Sequence, residues 1–190
     1  YYCFAGCRSL SSIVIPNKVK SIGNCAFAGC FNLSAITIPD TVTEIGDGAF
    51  CECSSLTQVL LSEHVLKIGQ GAFAFCDSLK NIVIPPKLSI IEKHTFWYCN
   101  ALTSIHIPNN VTEIGDCAFA RSEKLTHVVL GERVKTIKYR AFERCSALTS
   151  IILNKQIATI GDEAFAYCSS LNSIQLPSTI KKIHKRTFYE

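Results

Sequence analysis

The sequence predicts an α/β repeat fold, mostly β, in which short units stack into a solenoid. Two observations lead to this prediction. A unit of 23 residues recurs along the whole chain without an insertion, and each copy carries short apolar runs. No single unit could bury its apolar residues alone, so neighbouring units must cover one another in continuous columns. The phenylalanine of the unit recurs at Phe4, Phe27, Phe50, Phe73, Phe96, Phe119, Phe142, Phe165 and Phe188.

The first part of each unit, LxxIxI, predicts a β-strand. Its apolar residues alternate, as in Leu33, Ile36 and Ile38, which is the pattern of a short strand with one buried face. Proline follows the strand in five units and ends it, because proline has no N–H to continue a ladder. Each unit therefore contributes one strand to a continuous parallel sheet. The strands open at Leu10, Leu33, Leu56, Leu79, Leu102, Leu125, Leu148 and Leu171.

The second part of the unit, VxxIG followed by AFxxC, predicts a bend and a single helical turn. Glycine after the isoleucine, as at Gly46, indicates a bend with positive φ. Asp47 and its equivalents Asn24, Asp116 and Asp162 would cap the helical turn. The phenylalanine and cysteine of AFxxC would both point inward.

Length and composition are those of a globular chain. It has 190 residues, of which 48% are hydrophobic and 18% charged, with a net charge of +4, unlike a disordered segment. The mild basic excess is mixed with acids and does not predict a nucleic-acid partner. No apolar run approaches the roughly 20 residues that span a bilayer, so no direct membrane insertion is expected.

The repeats predict a single domain over residues 1–190, with about eight 23-residue units. The chain begins within a unit at Tyr1 and ends within a unit at Glu190. We therefore expect it to be a segment of a longer protein, so that the lack of a targeting signal in it says nothing about the compartment.

The unit LxxIxIPxxVxxIGxxAFxxCxxL resembles the 23-residue leucine-rich repeat of the BspA-like, or Treponema-type, class. The match covers essentially all 190 residues, and the joint pattern of IP, IG, AF and C distinguishes this class from other leucine-rich repeats. The resemblance implies a right-handed curved solenoid with its parallel sheet on the concave face, and with short strands and helical turns on the convex side.

The resemblance also implies a non-catalytic function. Family members are largely cell-surface or secreted proteins of bacteria and protists, associated with adhesion and host-protein binding. The family has no catalytic residues, cofactor or fixed binding motif to carry over. We therefore expect a protein ligand, such as a host surface or matrix protein, with a structural spacer or a self-associating array as the alternative.

The cysteines follow the repeat, which predicts buried free thiols. Side chains stacked in register run parallel and about 4.8 Å apart, whereas a disulfide needs converging Cβ atoms about 3.8 Å apart. A zinc site is not expected, because Cys51-x-Cys53 has no second CxxC half. The column consists of Cys7, Cys30, Cys53, Cys76, Cys99, Cys145 and Cys168, with Ser122 in the remaining place.

The strand residues that face outward form the candidate binding surface. The third place of each strand unit is small and polar, whereas the fifth place is largely apolar, which indicates an interaction face or only the strand preference of β-branched residues. His106 and His127 should lie diagonally on adjacent strands, as exposed polar residues rather than metal ligands. The predicted partner-binding residues are Leu60, Val83, His106, His127, Val129 and Ile152.

Two irregular regions remain. The sixth unit is rich in lysine and arginine, including Lys138, Arg140 and Arg144, and predicts either a basic patch or an ordinary solvated surface. Phe75 and Tyr98 share one column on adjacent units and are expected to stack.

Overall fold

The structure is a computed structural model that describes residues 2–190. It is a β-solenoid in which each coil of 23 residues lies directly on the previous one. Coil 1 begins at Leu10, and each later coil begins at the equivalent leucine, up to coil 8 at Leu171. The contact between two successive coils is called a step below, so that step 3/4 joins coils 3 and 4.

The LxxIxI segments form the longer strands, and they make up the long-strand sheet. Within each strand the middle residue is buried and its neighbours are exposed, as the alternation predicts. These strands are β2 (Ala35–Thr37), β4 (Gln58–Leu60), β7 (Ser104–His106), β9 (His127–Val129), β11 (Ser150–Ile152) and β13 (Ser173–Ile174).

The VxxIG segments form two-residue strands, and they make up the short-strand sheet on the other side of the core. They are β1 (Ser21–Ile22), β3 (Glu44–Ile45), β5 (Lys67–Ile68), β6 (Ile90–Ile91), β8 (Glu113–Ile114), β10 (Thr136–Ile137) and β12 (Thr159–Ile160). Coils 2, 3, 5, 6 and 7 thus supply two strands each, and coils 1, 4 and 8 supply one, where the sequence predicted one sheet strand and a short apolar segment.

All strand pairs are parallel and follow the 23-residue repeat. Ile36 pairs with Val59 in the long-strand sheet, and Ile22 pairs with Ile45 in the short-strand sheet. The predicted continuous sheet of eight strands is wrong, however. The long-strand sheet consists of a two-stranded part, β2–β4, and a four-stranded part, β7–β9–β11–β13. Residues 11–16 and 81–85 form no strand.

The predicted helical turn at AFxxC is not confirmed, since residues 2–190 contain no helix. In coil 1, the N–H of Cys30 bonds to the carbonyl of Phe27 at 3.1 Å, which closes a tight turn. The N–H of Phe27 instead donates to Ala49 of the next coil at 2.8 Å. Some N–H groups of this segment therefore bond within the turn and others bond to the next coil. A helical ladder cannot form, because it needs every N–H to bond within the same segment.

The role predicted for the glycine after the isoleucine is also wrong. Positive φ occurs two residues later, as at Gly48 (φ 59°) and Cys25 (φ 53°), and not at Gly46. A Cβ on Gly46 would lie 2.7 Å from the backbone nitrogen of Asn24 in the preceding coil. Glycine is therefore needed here for close approach of two backbones.

The predicted helix cap acts between coils instead. The Oδ1 atom of Asp47 accepts a hydrogen bond of 2.8 Å from the N–H of Gln70 in the next coil. Asn24, Asp116 and Asp162 make the equivalent bond to residues 23 positions later. These polar side chains thus join successive coils.

The core is a column of stacked side chains. Neighbouring phenylalanine rings lie 5.2 to 5.7 Å apart with interplanar angles of 3° to 12° along the whole series from Phe4 to Phe188. The rings from Phe50 to Phe142 are fully buried. This continuous column is what the repeat predicted, because every unit places its ring in the same environment.

Candidate binding surface

The outward face of the long-strand sheet carries a column of exposed apolar residues. The exposed fraction is 80% for Val83 and 85% for Ile152, and it is 52% for Leu60 and 54% for Val129. Val14, at 89%, continues the same column in coil 1 and was missed as a site residue, although the repeat places it there. Apolar side chains this exposed lose water when a partner covers them, which favours association.

The strands hold these residues at regular spacing. Leu60 ends β4, Val129 ends β9 and Ile152 ends β11, and pairing places Val129 beside Ile152. Val83 lies in residues 81–85, which form no strand. The structure therefore brings His106, His127, Val129 and Ile152 together on β7, β9 and β11. Leu60 lies on β4 in the separate two-stranded part, and Val83 lies on an unpaired stretch between the two parts.

The two histidines occupy the diagonal that the sequence predicted. Ser104 pairs with His127, and His106 pairs with Val129 on the adjacent strand. The Nδ1 atom of His127 lies 2.7 Å from the hydroxyl of Thr126, which orients the ring. Among residues 2–190, no group of three His, Cys, Asp or Glu residues is arranged to hold a metal ion.

This face carries no formal charge at the positions that define it. Neither the third nor the fifth place of any strand unit holds Asp, Glu, Lys or Arg. The third places are Ser12, Ala35, Gln58, Asn81, Ser104, His127, Ser150 and Ser173, and the fifth places are Val14, Thr37, Leu60, Val83, His106, Val129, Ile152 and Gln175. A partner would be held here by apolar contact and hydrogen bonds rather than by ion pairs.

The cysteine column lies inside the core and away from this face. Its members from Cys30 to Cys168 are buried free thiols, whereas Cys7 at one end is exposed. The Sγ atom of Cys53 donates to the carbonyl of Phe27 at 3.2 Å. Burial raises the pKa of Cys53 and that of Cys168 to about 12. Thiols held protonated in this way are structural groups rather than nucleophiles.

The basic residues of the sixth unit are partly neutralised by neighbouring acids. Lys138 lies 2.7 Å from Glu113, and Arg140 lies 2.6 Å from Glu163. The guanidinium of Arg121 instead covers the ring of Tyr98, 5.1 Å from its centroid. The predicted basic patch is thus weakened by these ion pairs.

The predicted stacking of Phe75 on Tyr98 is confirmed. Their ring centroids lie 5.0 Å apart with an interplanar angle of 18°. Trp97 packs its edge against Phe75 at 4.8 Å, and His94 lies 4.9 Å from Trp97. These rings contact one another between coils 3 and 4 and hold the two coils together. Phe75, Trp97, Tyr98 and His94 are called the turn-edge cluster below.

None of the elements described between residues 2 and 190 is a helix with the length and apolarity needed to cross a bilayer.

Three solved structures resemble this chain. A leucine-rich cell-surface protein from Faecalibacterium prausnitzii has 36% identity and a TM-score of 0.78 over 86% of this chain and 44% of that protein. A leucine-rich repeat protein from Eubacterium ventriosum has 30% identity and a TM-score of 0.79, over 89% and 45% of the two chains. The leucine-rich repeat protein of T. pallidum has 29% identity and a TM-score of 0.76, over 89% and 79%.

The chain therefore spans less than half the length of the first two of these proteins. A search of curated protein sequences found no match. A family model described as the BspA type leucine-rich repeat region, with six copies, matches residues 1–122 and 89–190. Together with the 23-residue coils, the cysteine column and the phenylalanine column, this match shows that the chain belongs to the BspA-type leucine-rich repeat family.

Proposed function

We propose that this chain is a non-catalytic protein-binding domain that acts at the cell surface or after secretion, in adhesion or host-protein recognition. The observation that carries the proposal is the uncharged, apolar column on the long-strand sheet. Exposed apolar surface of this kind commonly marks an interaction face. The F. prausnitzii relative is a cell-surface protein, which supports the proposed location.

The proposed mechanism is binding by a preorganised surface. In coils 5–7, both sheets and the phenylalanine column hold the coils in place before a partner arrives, so these coils lose little conformational entropy on binding. We further propose that the coil is right-handed and that the long-strand sheet forms its concave side. A concave sheet would surround a protein ligand and bury more of it than a flat one.

The test is a set of threonine substitutions on the apolar column: Val83→Thr, Val129→Thr and Ile152→Thr combined. Threonine retains strand preference, so the fold should persist. We expect adhesion to cultured epithelial cells and to matrix-coated surfaces to fall by about ten-fold or more, as for loss of central apolar contacts.

A matched control replaces exposed apolar residues that lie outside this column. Leu66 is 53% exposed and Ile183 is 61% exposed. Leu66→Thr combined with Ile183→Thr should leave adhesion unchanged. If the column variant adheres as well as the unmodified chain while keeping its unfolding transition, the proposed binding face is wrong.

The alternative function is a structural spacer or a self-associating array. Sedimentation over a hundred-fold range of concentration distinguishes a spacer from a self-associating array. If the mass rises with concentration, and the column variant abolishes that rise, the chain self-associates through the same face.

A further inference from the structure

Step 3/4 differs from the other contacts between coils because both sheets are interrupted there. In the described chain, β4 has no pairing with residues 81–83, and β5 has no pairing with β6. At step 2/3 and at steps 5/6 and 6/7, both sheets are continuous. The interruption lies inside the array and is therefore not fraying of an end.

The hydrogen bonds that remain at step 3/4 lie on one side of the coil, at the AFxxC turns, whereas apolar side chains such as Ile68 and Ile91 stay buried in the common core. The N–H of Phe73 bonds to Thr95 at 2.9 Å, and that of Phe75 bonds to Trp97 at 2.8 Å. The Sγ atom of Cys99 donates to Phe73 at 3.2 Å. The turn-edge cluster of Phe75, Trp97, Tyr98 and His94 joins the same two coils on this side.

The phenylalanine rings are slightly further apart at step 3/4 than at its neighbours. The centroids of Phe73 and Phe96 are 5.7 Å apart, compared with 5.4 Å and 5.3 Å at the steps on either side, and the same 5.7 Å occurs between Phe165 and Phe188 at step 7/8. A wider spacing weakens the dispersion contact between rings.

Two residues of coil 4 depart from the repeat where the sheets are interrupted. Glu92 stands where Gly69 and Gly115 stand in neighbouring coils. A Cβ on Gly69 would lie 2.5 Å from the backbone nitrogen of Asp47 in the preceding coil, so the Cβ of Glu92 requires extra space at step 3/4.

A Cβ at this place does not open a step by itself. Lys138 occupies it in coil 6, and its N–H still bonds to Ile114 at 2.9 Å. Pro86 is the second departure. It occupies the place of Glu132, whose N–H donates to Asn109 Oδ1 at 3.0 Å at step 5/6, and proline has no N–H to donate. Steps 2/3 and 6/7 are continuous without this bond, so what sets coil 4 apart is that it combines both departures.

We propose that the solenoid bends at step 3/4, with coils 1–3 and coils 4–8 as two blocks and the turn edge as the hinge. Coil 4 moves with the later coils, because β6 pairs with β8. Motion about the turn edge opens or closes the two sheet sides of the step. The hinge separates Leu60 from Val83, so bending changes the spacing of the apolar column. The hinge itself rests on the coil contacts alone and not on the proposed function.

The experiment measures distances between spin labels attached to genetically encoded amino acids, which leaves the native cysteines unmodified. One pair replaces Lys18 and Lys87 and crosses the hinge. A matched pair replaces Lys87 and Gln156 and lies within coils 4–8. Both pairs occupy exposed, equivalent places three coils apart.

We expect the distance distribution of the first pair to be about twice as wide as that of the second, because only the first crosses a hinge. The double variant Pro86→Asn with Glu92→Gly should narrow the distribution of the first pair until it is as narrow as that of the second pair. Lys138→Gly is the control and should change neither distribution. Equal widths for the two pairs in the unmodified chain would overturn the proposal.

Amide hydrogen exchange provides a second measurement that does not depend on labels. Amides in residues 80–84 should exchange about ten-fold or more faster than those in the equivalent residues 126–130, because residues 80–84 belong to no strand. Equal protection of the two segments would also contradict the hinge.

Discussion

The hydroxyl of Ser122 donates a hydrogen bond of 3.2 Å to the carbonyl oxygen of Phe96 in the preceding coil. The thiol of Cys145 makes the same bond to Phe119, at 3.3 Å. Serine and cysteine are thus interchangeable in this column as donors to a buried carbonyl.

This equivalence predicts the effect of substitutions in the column. Ser122→Ala should lower the free energy of unfolding by about 1–3 kcal/mol, because it leaves the carbonyl of Phe96 buried without a partner. Ser122→Cys should stay within about 1 kcal/mol of the unmodified chain, since the donor is retained. Urea unfolding measures both. An alanine variant as stable as the unmodified chain would show that the bond contributes nothing.

The buried thiols predict a loss of stability at alkaline pH. Burial raises the pKa of Cys53 to about 12 from its usual 9.0. The unfolded chain therefore releases this proton at lower pH than the folded chain, so the free energy of unfolding falls between pH 9 and about 12. One such thiol contributes a slope of up to about 1.4 kcal/mol per pH unit.

Cys53→Ser should flatten this alkaline slope, because a hydroxyl does not ionise in that range. Urea unfolding at several pH values from 7 upward provides the measurement. Identical slopes for Cys53→Ser and the unmodified chain would contradict the prediction.

The phenylalanine column predicts a large cost for removing an internal ring. Phe119 is fully buried and lies 5.3 Å from both Phe96 and Phe142. Phe119→Ala should lower the free energy of unfolding by about 3–5 kcal/mol. Phe4→Ala should cost less, because Phe4 is 38% exposed and, among residues 2–190, stacks on Phe27 alone. Urea unfolding measures both losses. Equal losses of free energy for Phe119→Ala and Phe4→Ala would contradict the prediction.

The two kinds of glycine predict opposite tolerance to substitution. Gly69→Ala should cost about 1–3 kcal/mol, as an overpacked site does, because the new Cβ would lie 2.6 Å from Gly46 C in the preceding coil. Gly71 has φ of 60°, and a Cβ there would meet only the Cβ of Ala74 at 3.9 Å, an ordinary contact distance. Gly71→Asn should cost less than about 1 kcal/mol, since asparagine accepts this conformation. Thermal unfolding ranks the two variants, and the reverse order would refute the assignment.

Much of the candidate site was predictable because each outward residue follows from the strand alternation. The diagonal of His106 and His127 and the exposure of Leu60, Val129 and Ile152 agree with that pattern. The unpaired stretch around Val83 was not predicted. Strand pairing of this stretch depends on backbone atoms of the neighbouring coils, and no local pattern of apolar residues reports such contacts.

The sequence by itself determined the solenoid, the parallel register, the phenylalanine column and the free thiols, because a strict 23-residue repeat gives every unit the same neighbours. The tertiary structure decided how the coils are joined. Asp47 bonds to the next coil and not to a helical turn, and Gly46 admits a neighbouring backbone and not a positive φ. The helical turn was not formed, because N–H groups such as that of Phe27 bond to the next coil. These roles depend on atoms 23 residues away, which only the stacked coils bring together.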